Sequence, residues 1–173
     1  MTYDLNAIMK KNGLKPVKSY PIIERNNKGN ITHYKNNKVE WWKEYDNNGN
    51  ETHYKDNEGY EWWSKFDENN NEIHHKNNKG LEWWTEYDEN NNEIHHKNNK
   101  GAEWWTEYDE NNNEIHYKSN KGSELWREYD ENNNEIHHKD NEGLEWWKDS
   151  KGNELKNNNG SWYYNGEPLQ KSG

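Results

Sequence analysis

A glutamate followed by two adjacent histidines recurs as Glu72-Ile-His74-His75, Glu93-Ile-His95-His96 and Glu135-Ile-His137-His138. Imidazole and carboxylate are donors that suit zinc, and a repeated Glu/His set is the residue chemistry of a metal site. Spacing argues against it. Neighbouring residues on an extended strand face apart, and histidines of successive copies, two strands away, lie roughly 9.5 Å apart. Bonds of about 2 Å cannot reach one ion from both. The second histidine is also replaced by Tyr34, Tyr54 and Tyr117, an exchange that ring stacking tolerates and ligation does not. Stacking against tryptophan is the expected role, and neither a metal nor a cofactor is expected.

Catalysis is not expected either. General acid–base work needs one unusual carboxylate or histidine in a pocket, and nucleophilic work an activated Ser, Cys or Lys. Here every acid belongs to a series, there is no Cys, and no glycine-rich loop is built to cradle phosphates.

Aromatic pairs are the stronger candidates. Trp41-Trp42, Trp62-Trp63, Trp83-Trp84, Trp104-Trp105, Leu125-Trp126 and Trp146-Trp147 recur at a fixed interval. Some of these rings must hold the structure together. Trp and Tyr also carry much of the energy of protein interfaces, so Trp62, Trp63, Trp83, Trp84, Trp104, Trp105 and Trp126, with Tyr87 and Tyr108, are candidate partner-binding residues. Glu82, Glu103, Glu124 and Glu145, with Glu86, Glu107 and Glu128, form an acidic series; Glu82 and Glu103 are included as candidates. The plainer reading of these acids is a solvated face balanced by Lys76, Lys97 and Lys118. Leu125, Lys65 and Arg127 depart from the repeat and mark places for a specific contact, or drift.

What positions these residues is a 21-residue unit, clearest from Gly80 to Lys100 before Gly101 restarts it. A period of this size signals an array of one supersecondary unit packed on its neighbours. Leu81, Trp83, Thr85 and Tyr87 alternate with Glu82, Trp84 and Glu86, the period of a strand. Asp88-Glu-Asn-Asn-Asn92 then makes a turn, in which the slot of Asn70, Asn91, Asn112 and Asn133 is Gly49 or Gly152 in other copies, so positive φ is expected there. Glu93 to Lys97 forms a second strand, and Asn98-Asn-Lys-Gly101 a second turn. The fold class is all-β: an antiparallel meander of hairpin repeats, with a short N-terminal helix. Both faces would carry aromatic rows. Either the sheet stands as a single layer, its rings covered by cross-strand His, Tyr, Ile and the stems of Lys and Glu, or it curls to enclose one row. A one-residue error in turn length would exchange the faces.

Composition sets bounds on this. Only 27% of the 173 residues are apolar, too few for an aliphatic core, yet 12 Trp and 12 Tyr at fixed spacing distinguish the chain from a disordered one. A net charge of −10 argues against nucleic-acid and acidic-membrane ligands. Neither a signal core nor a membrane-spanning stretch is present, and the default compartment is cytoplasmic.

The ends are irregular. Residues 1–21 form a capping segment, in which Leu5, Ile8 and Met9 share a helical face closed by Gly13, a helix expected to cover an edge or a face. Residues 22–155 are the array, with Ile22 and Ile23 in the place of tryptophans. Residues 156–173 cap the far end: Trp162-Tyr-Tyr164 is expected as the last strand and Pro168 as a block to further pairing. The array is thereby expected to be complete at both ends.

Tyr45-Asp46-Asn-Asn-Gly49-Asn50, with Tyr87-Asp88, Tyr108-Asp109, Tyr129-Asp130 and the near match Phe66-Asp67, resembles the YD repeat of bacterial Rhs toxins and teneurins over about residues 22–155. That resemblance implies a meandering sheet. Gly160-Ser-Trp162-Tyr-Tyr164-Asn-Gly166 looks like the aromatic repeats of cell-wall-binding surface proteins, and the scheme is similar in outline to MORN-type repeats of antitoxins. The wording also looks like reading frames of bacterial and phage origin. The function expected is a non-catalytic protein-binding scaffold, an inhibitor or immunity factor in phage–bacterium or toxin conflict. The alternative is glycan or cell-wall binding by aromatic stacking. Exposed edge strands and open faces also allow a homo-oligomer.

Overall fold

The computed structural model describes residues 4–15 and 21–170, except for the side chains of Leu5 and Asn6. One helix, α1 (Leu5–Lys11), precedes sixteen strands. These are β1 (Ile22–Arg25), β2 (Ile31–Lys35), β3 (Glu40–Tyr45), β4 (Glu51–Asp56), β5 (Glu61–Phe66), β6 (Glu72–Asn77), β7 (Glu82–Tyr87) and β8 (Glu93–Asn98). There follow β9 (Glu103–Tyr108), β10 (Glu114–Ser119), β11 (Glu124–Tyr129), β12 (Glu135–Asp140), β13 (Leu144–Lys148), β14 (Glu154–Asn158), β15 (Ser161–Tyr164) and β16 (Glu167–Leu169). The strands form an open antiparallel meander in chain order, with β1 and β16 as its ends. Contacts group it into two compact units, Met1–Trp63 and Ser64–Gly173.

Two differently built turns alternate. In the first, Asp88 Oδ1 accepts the backbone N–H groups of Asn90 and Asn92, both at 2.9 Å, and Oδ2 accepts Asn92 Nδ2 at 3.0 Å. The slot expected at positive φ has it: 70°, 67°, 65° and 61° at Asn70, Asn91, Asn112 and Asn133. Asparagine tolerates this left-handed conformation. In the second turn an asparagine or aspartate opens the loop, and Gly101, at φ 82°, closes it.

Both turns are stitched to the next copy. Asn92 Nδ2 donates to Asn112 Oδ1 at 2.8 Å and Asn113 Nδ2 to Asn133 Oδ1 at 2.9 Å. On the other edge the backbone of Asn99 donates to Glu82 O at 2.9 Å, its Oδ1 accepts Glu82 N at 3.2 Å and its Nδ2 donates to Gly80 O at 2.8 Å. Asn120 and Asn141 repeat this pattern on Glu103/Gly101 and Glu124/Gly122. Residues that a propensity scale would call loop formers thus couple one repeat to the next.

Pairing is regular except for a recurring bulge between the two strands flanking a first turn, absent between β13 and β14. Glu86 pairs with His95 but Tyr87 with Glu93, which leaves Ile94 as the extra residue; Thr52, Ile115 and Ile136 hold the same place. An extra residue on one strand reverses its alternation, so Glu93 falls on the face opposite to His95. Strict period two would have put them together.

Among the described residues each strand contacts only its chain neighbours, and no hydrophobic side chain is fully buried. The buried residues are Ser64, Thr85 and Thr106, at 6%, 4% and 7% exposure, small side chains roofed by the rings beside them. Within each unit the single-layer arrangement holds. One expectation at the C-terminal end is corrected. A sixteenth strand follows β15, and Pro168 lies within it, opposite Tyr163; proline is tolerated there because β16 is an edge. The helix has the expected C-terminal glycine, with Leu14 N donating to Met9 O at 2.9 Å, but Ile8 and Leu14 are 44% and 58% exposed. Of the face expected to provide cover, Ile8 is exposed, Met9 is half-buried, and the Leu5 side chain lies outside the described residues.

Acid should loosen the turns. Side-chain hydrogen bonds from Asn92, Asn113, Asn134 and Asn153 hold the carboxyls of Asp88, Asp109, Asp130 and Asp149 below the usual aspartate range, with backbone donors adding to the effect. A carboxyl lowered on folding stabilises the fold above its unfolded pKa and loses that contribution as pH falls through the folded value. The thermal midpoint, followed by tryptophan fluorescence, is expected to hold steady above the carboxylate range and to fall below it. A midpoint unchanged into strong acid would contradict the role of the aspartates.

Candidate functional site

The bulge and register divide the candidate residues between two faces. In residues 64–173, Trp84, Trp105, Trp126 and Trp147 lie on one face with His74, His95, His116 and His137. Each of these histidines stacks on its cross-strand tryptophan, at centroid distances of 5.1–5.3 Å and interplanar angles of 7–15°. His33 with Trp42 and His53 with Trp63 repeat the arrangement in residues 1–63. Lysines belong to the strand on the far side. Lys97 Nζ stands 5.6 Å over the Trp84 ring, and Trp105 and Trp126 pair in register with Lys118 and Lys139. Each of these rings has one flat face against a histidine, and Trp42 and Trp105 remain 39% and 40% exposed.

In residues 64–173, three of these imidazoles are also clamped between carboxylates. His95 Nδ1 is 3.3 Å from Glu86 and its Nε2 is 2.9 Å from Glu103; His116 has Glu107 and Glu124 at 3.3 and 3.0 Å, and His137 has Glu128 and Glu145 at 3.2 Å each. Lys65 stands where the other copies have this Nδ1-side glutamate, and His74 meets Glu82 alone, at 3.0 Å. The candidate acids Glu82 and Glu103 therefore act first inside the sheet, as histidine partners with side chains 35% and 33% exposed. The acids flanking Nδ1 are more open, at 68% for both Glu86 and Glu107.

On the opposite face, His75, Trp83, His96 and Trp104 form a continuous stack, with centroid steps of 5.6, 5.7 and 4.0 Å. Tyr34, Trp41, Tyr54 and Trp62 form the corresponding row in residues 1–63. His96 also lies 2.9 Å from Thr85 Oγ1, and burial holds its pKa below the ordinary histidine value. Trp104 Nε1 donates to Glu93 at 2.7 Å. Tyr87 and Tyr108 stand on this face at the strand ends; the Tyr87 hydroxyl reaches Glu72 O at 3.5 Å, and burial pushes both phenol pKa values up, with nearby glutamates adding to it. The sequence candidates thus form two surfaces. Trp84, Trp105 and Trp126 share one with Glu82 and Glu103, while Trp83 and Trp104 share the other with Tyr87 and Tyr108.

The departures at Leu125 and Arg127 belong together. Where the preceding copy has Trp104, whose indole donates to Glu93, Leu125 has no donor. Arg127 supplies one, with Nη1 donating to Glu114 and Nε 3.6 Å from Glu135. The exchange is explained within the fold and requires no outside ligand.

An open depression of about 510 Å³ lies beside Trp84, lined by Ile73, Ile94, Glu86 and Lys97 and reaching Thr85 and Tyr87 toward the strand end. Ile94 there is a bulge residue, which strand alternation alone did not single out. Among the described residues no group of three or more His, Cys, Asp or Glu converges to hold a metal ion. Fold and surfaces define a tandem β-hairpin repeat protein. No protein-family model and no curated protein matches the chain.

The Arg127 account predicts a compensation. Arg127→Ala should leave Glu114 and Glu135 unneutralised and cost about 1 kcal/mol in urea unfolding. Adding Leu125→Trp with Arg127→Thr, the wording of the neighbouring copy, should restore the midpoint. Equal loss in the alanine and the double variant would contradict the exchange.

Proposed function

We propose that the protein is a non-catalytic, cytoplasmic protein-binding scaffold that acts as an inhibitor or immunity factor in phage–bacterium or toxin conflict. The observation that carries this reading is the histidine-clamp face: part-exposed rings and open glutamates repeat over several copies, and an amphipathic depression lies beside Trp84, with no layer packed above them. Interfaces favour such aromatic positions ringed by polar groups. The Tyr-Asp turn signature supports a kinship with YD repeats. Among the described residues no helix is long and apolar enough to cross a membrane.

The glycan alternative asks for flat ring faces on which a sugar can lie. Here one face of each ring is taken by a histidine, and at Trp84 a lysine stands over the other, which favours the protein reading.

Affinity capture from a bacterial lysate, at low and high salt, tests the proposal. One stoichiometric protein is expected, released by salt and lost with Glu86→Lys/Glu107→Lys, which reverses charge at the open acids. Saturable quenching of tryptophan fluorescence by cell-wall fragments, with no protein captured, would replace the proposal with the glycan reading.

A further inference from the structure

The two edges of the sheet in residues 64–173 carry opposite charge. A meander places alternate turns on opposite edges, so all first turns share one edge and all second turns the other. The first-turn edge presents Glu68, Glu89, Glu110 and Glu131, then Lys151; the second-turn edge presents Lys79, Lys100 and Lys121, then Glu142. All nine are exposed. Copies of a turn along one edge are spaced by two strands, roughly 9.6 Å. Any two copies of this chain lying side by side therefore have their charges in phase.

We propose that the second-turn edge of one molecule docks on the first-turn edge of another, with the two sheets parallel and offset by one strand. That register places Lys79 against Glu89, Lys100 against Glu110, Lys121 against Glu131 and Glu142 against Lys151, four opposite-charge pairs in a row. The offset in the other direction matches three pairs but sets Glu142 against Glu131. The reversal of sign at the fourth turn of each edge thus selects one register. Because the two edges differ, the contact is head-to-tail and does not close, so it extends molecules into rafts rather than stopping at a dimer. Single exposed ion pairs contribute little. The row acts through repetition, and each added molecule uses a fresh pair of edges.

Sedimentation velocity on the intact chain tests this, at about 20 mM and about 500 mM salt, since screening removes attraction between exposed charges. The wild type is expected to show a concentration-dependent rise in mean mass at low salt and a single monomer at high salt. K79E/K100E/K121E and E89K/E110K/E131K, each with an unchanged circular dichroism spectrum, should stay monomeric alone. Their equimolar mixture should associate again, because every edge of one then complements an edge of the other. A wild type that is monomeric at low salt would overturn the proposal, as would association that survives high salt or persists unchanged in either triple variant.

Discussion

A ring on a single-layer sheet can hide its faces only against the side chains of the strands beside it. This constraint governs the rest of the molecule. Within each unit no second sheet or helix row stands over the aromatics, and no apolar residue reaches full burial among those described. The apolar area removed from water comes from side chains turned on edge and stacked along the strand order. Tryptophan offers the largest flat area for that purpose, and histidine fits beside it while binding acids at its rim. The repeat spends nearly all its aromatic content on cross-strand pairs with angles as small as 3° for His138 and Trp146.

Stacking in one direction requires the strands to stay in register, and the turns provide that. Asn99, Asn120 and Asn141 each bind backbone groups of the preceding second turn, while the first turns are joined amide to amide. The bulge at Ile94 then decides what meets what. It moves Glu93 to the face of Trp104, where the acid takes the indole N–H, and leaves His95 on the other face between Glu86 and Glu103. The inserted residue gives each histidine of a pair a different environment, clamped by acids at His95 and stacked between two indoles at His96.

Much of this was legible in the sequence. The period, both strands, both turns and the asparagines at positive φ follow from residue types with local preferences, and the stacking role of histidine follows from its exchange with tyrosine. The assignment of faces did not, because Ile94 reads as an ordinary strand residue and nothing local marks it as a bulge. The acids were read as a solvated lattice for the same reason: their histidine partners come from neighbouring strands, across a register that a bulge shifts. Pro168 was read as a stop by its missing N–H, yet an edge strand leaves that position without a partner to lose. The choice between a single layer and a curled sheet depends on long-range twist, which no single repeat encodes.

Hydroxyl-radical footprinting of the native chain, read residue by residue by mass spectrometry, tests the single-layer account most directly. Adjacent tryptophans point to opposite faces, so Trp83 and Trp84, and likewise Trp104 and Trp105, report the two faces side by side. The account predicts modification of both members of each pair at rates of the same order, each slower than in the unfolded chain. Full protection of one member alongside free reaction of the other would reveal a covered face and contradict it.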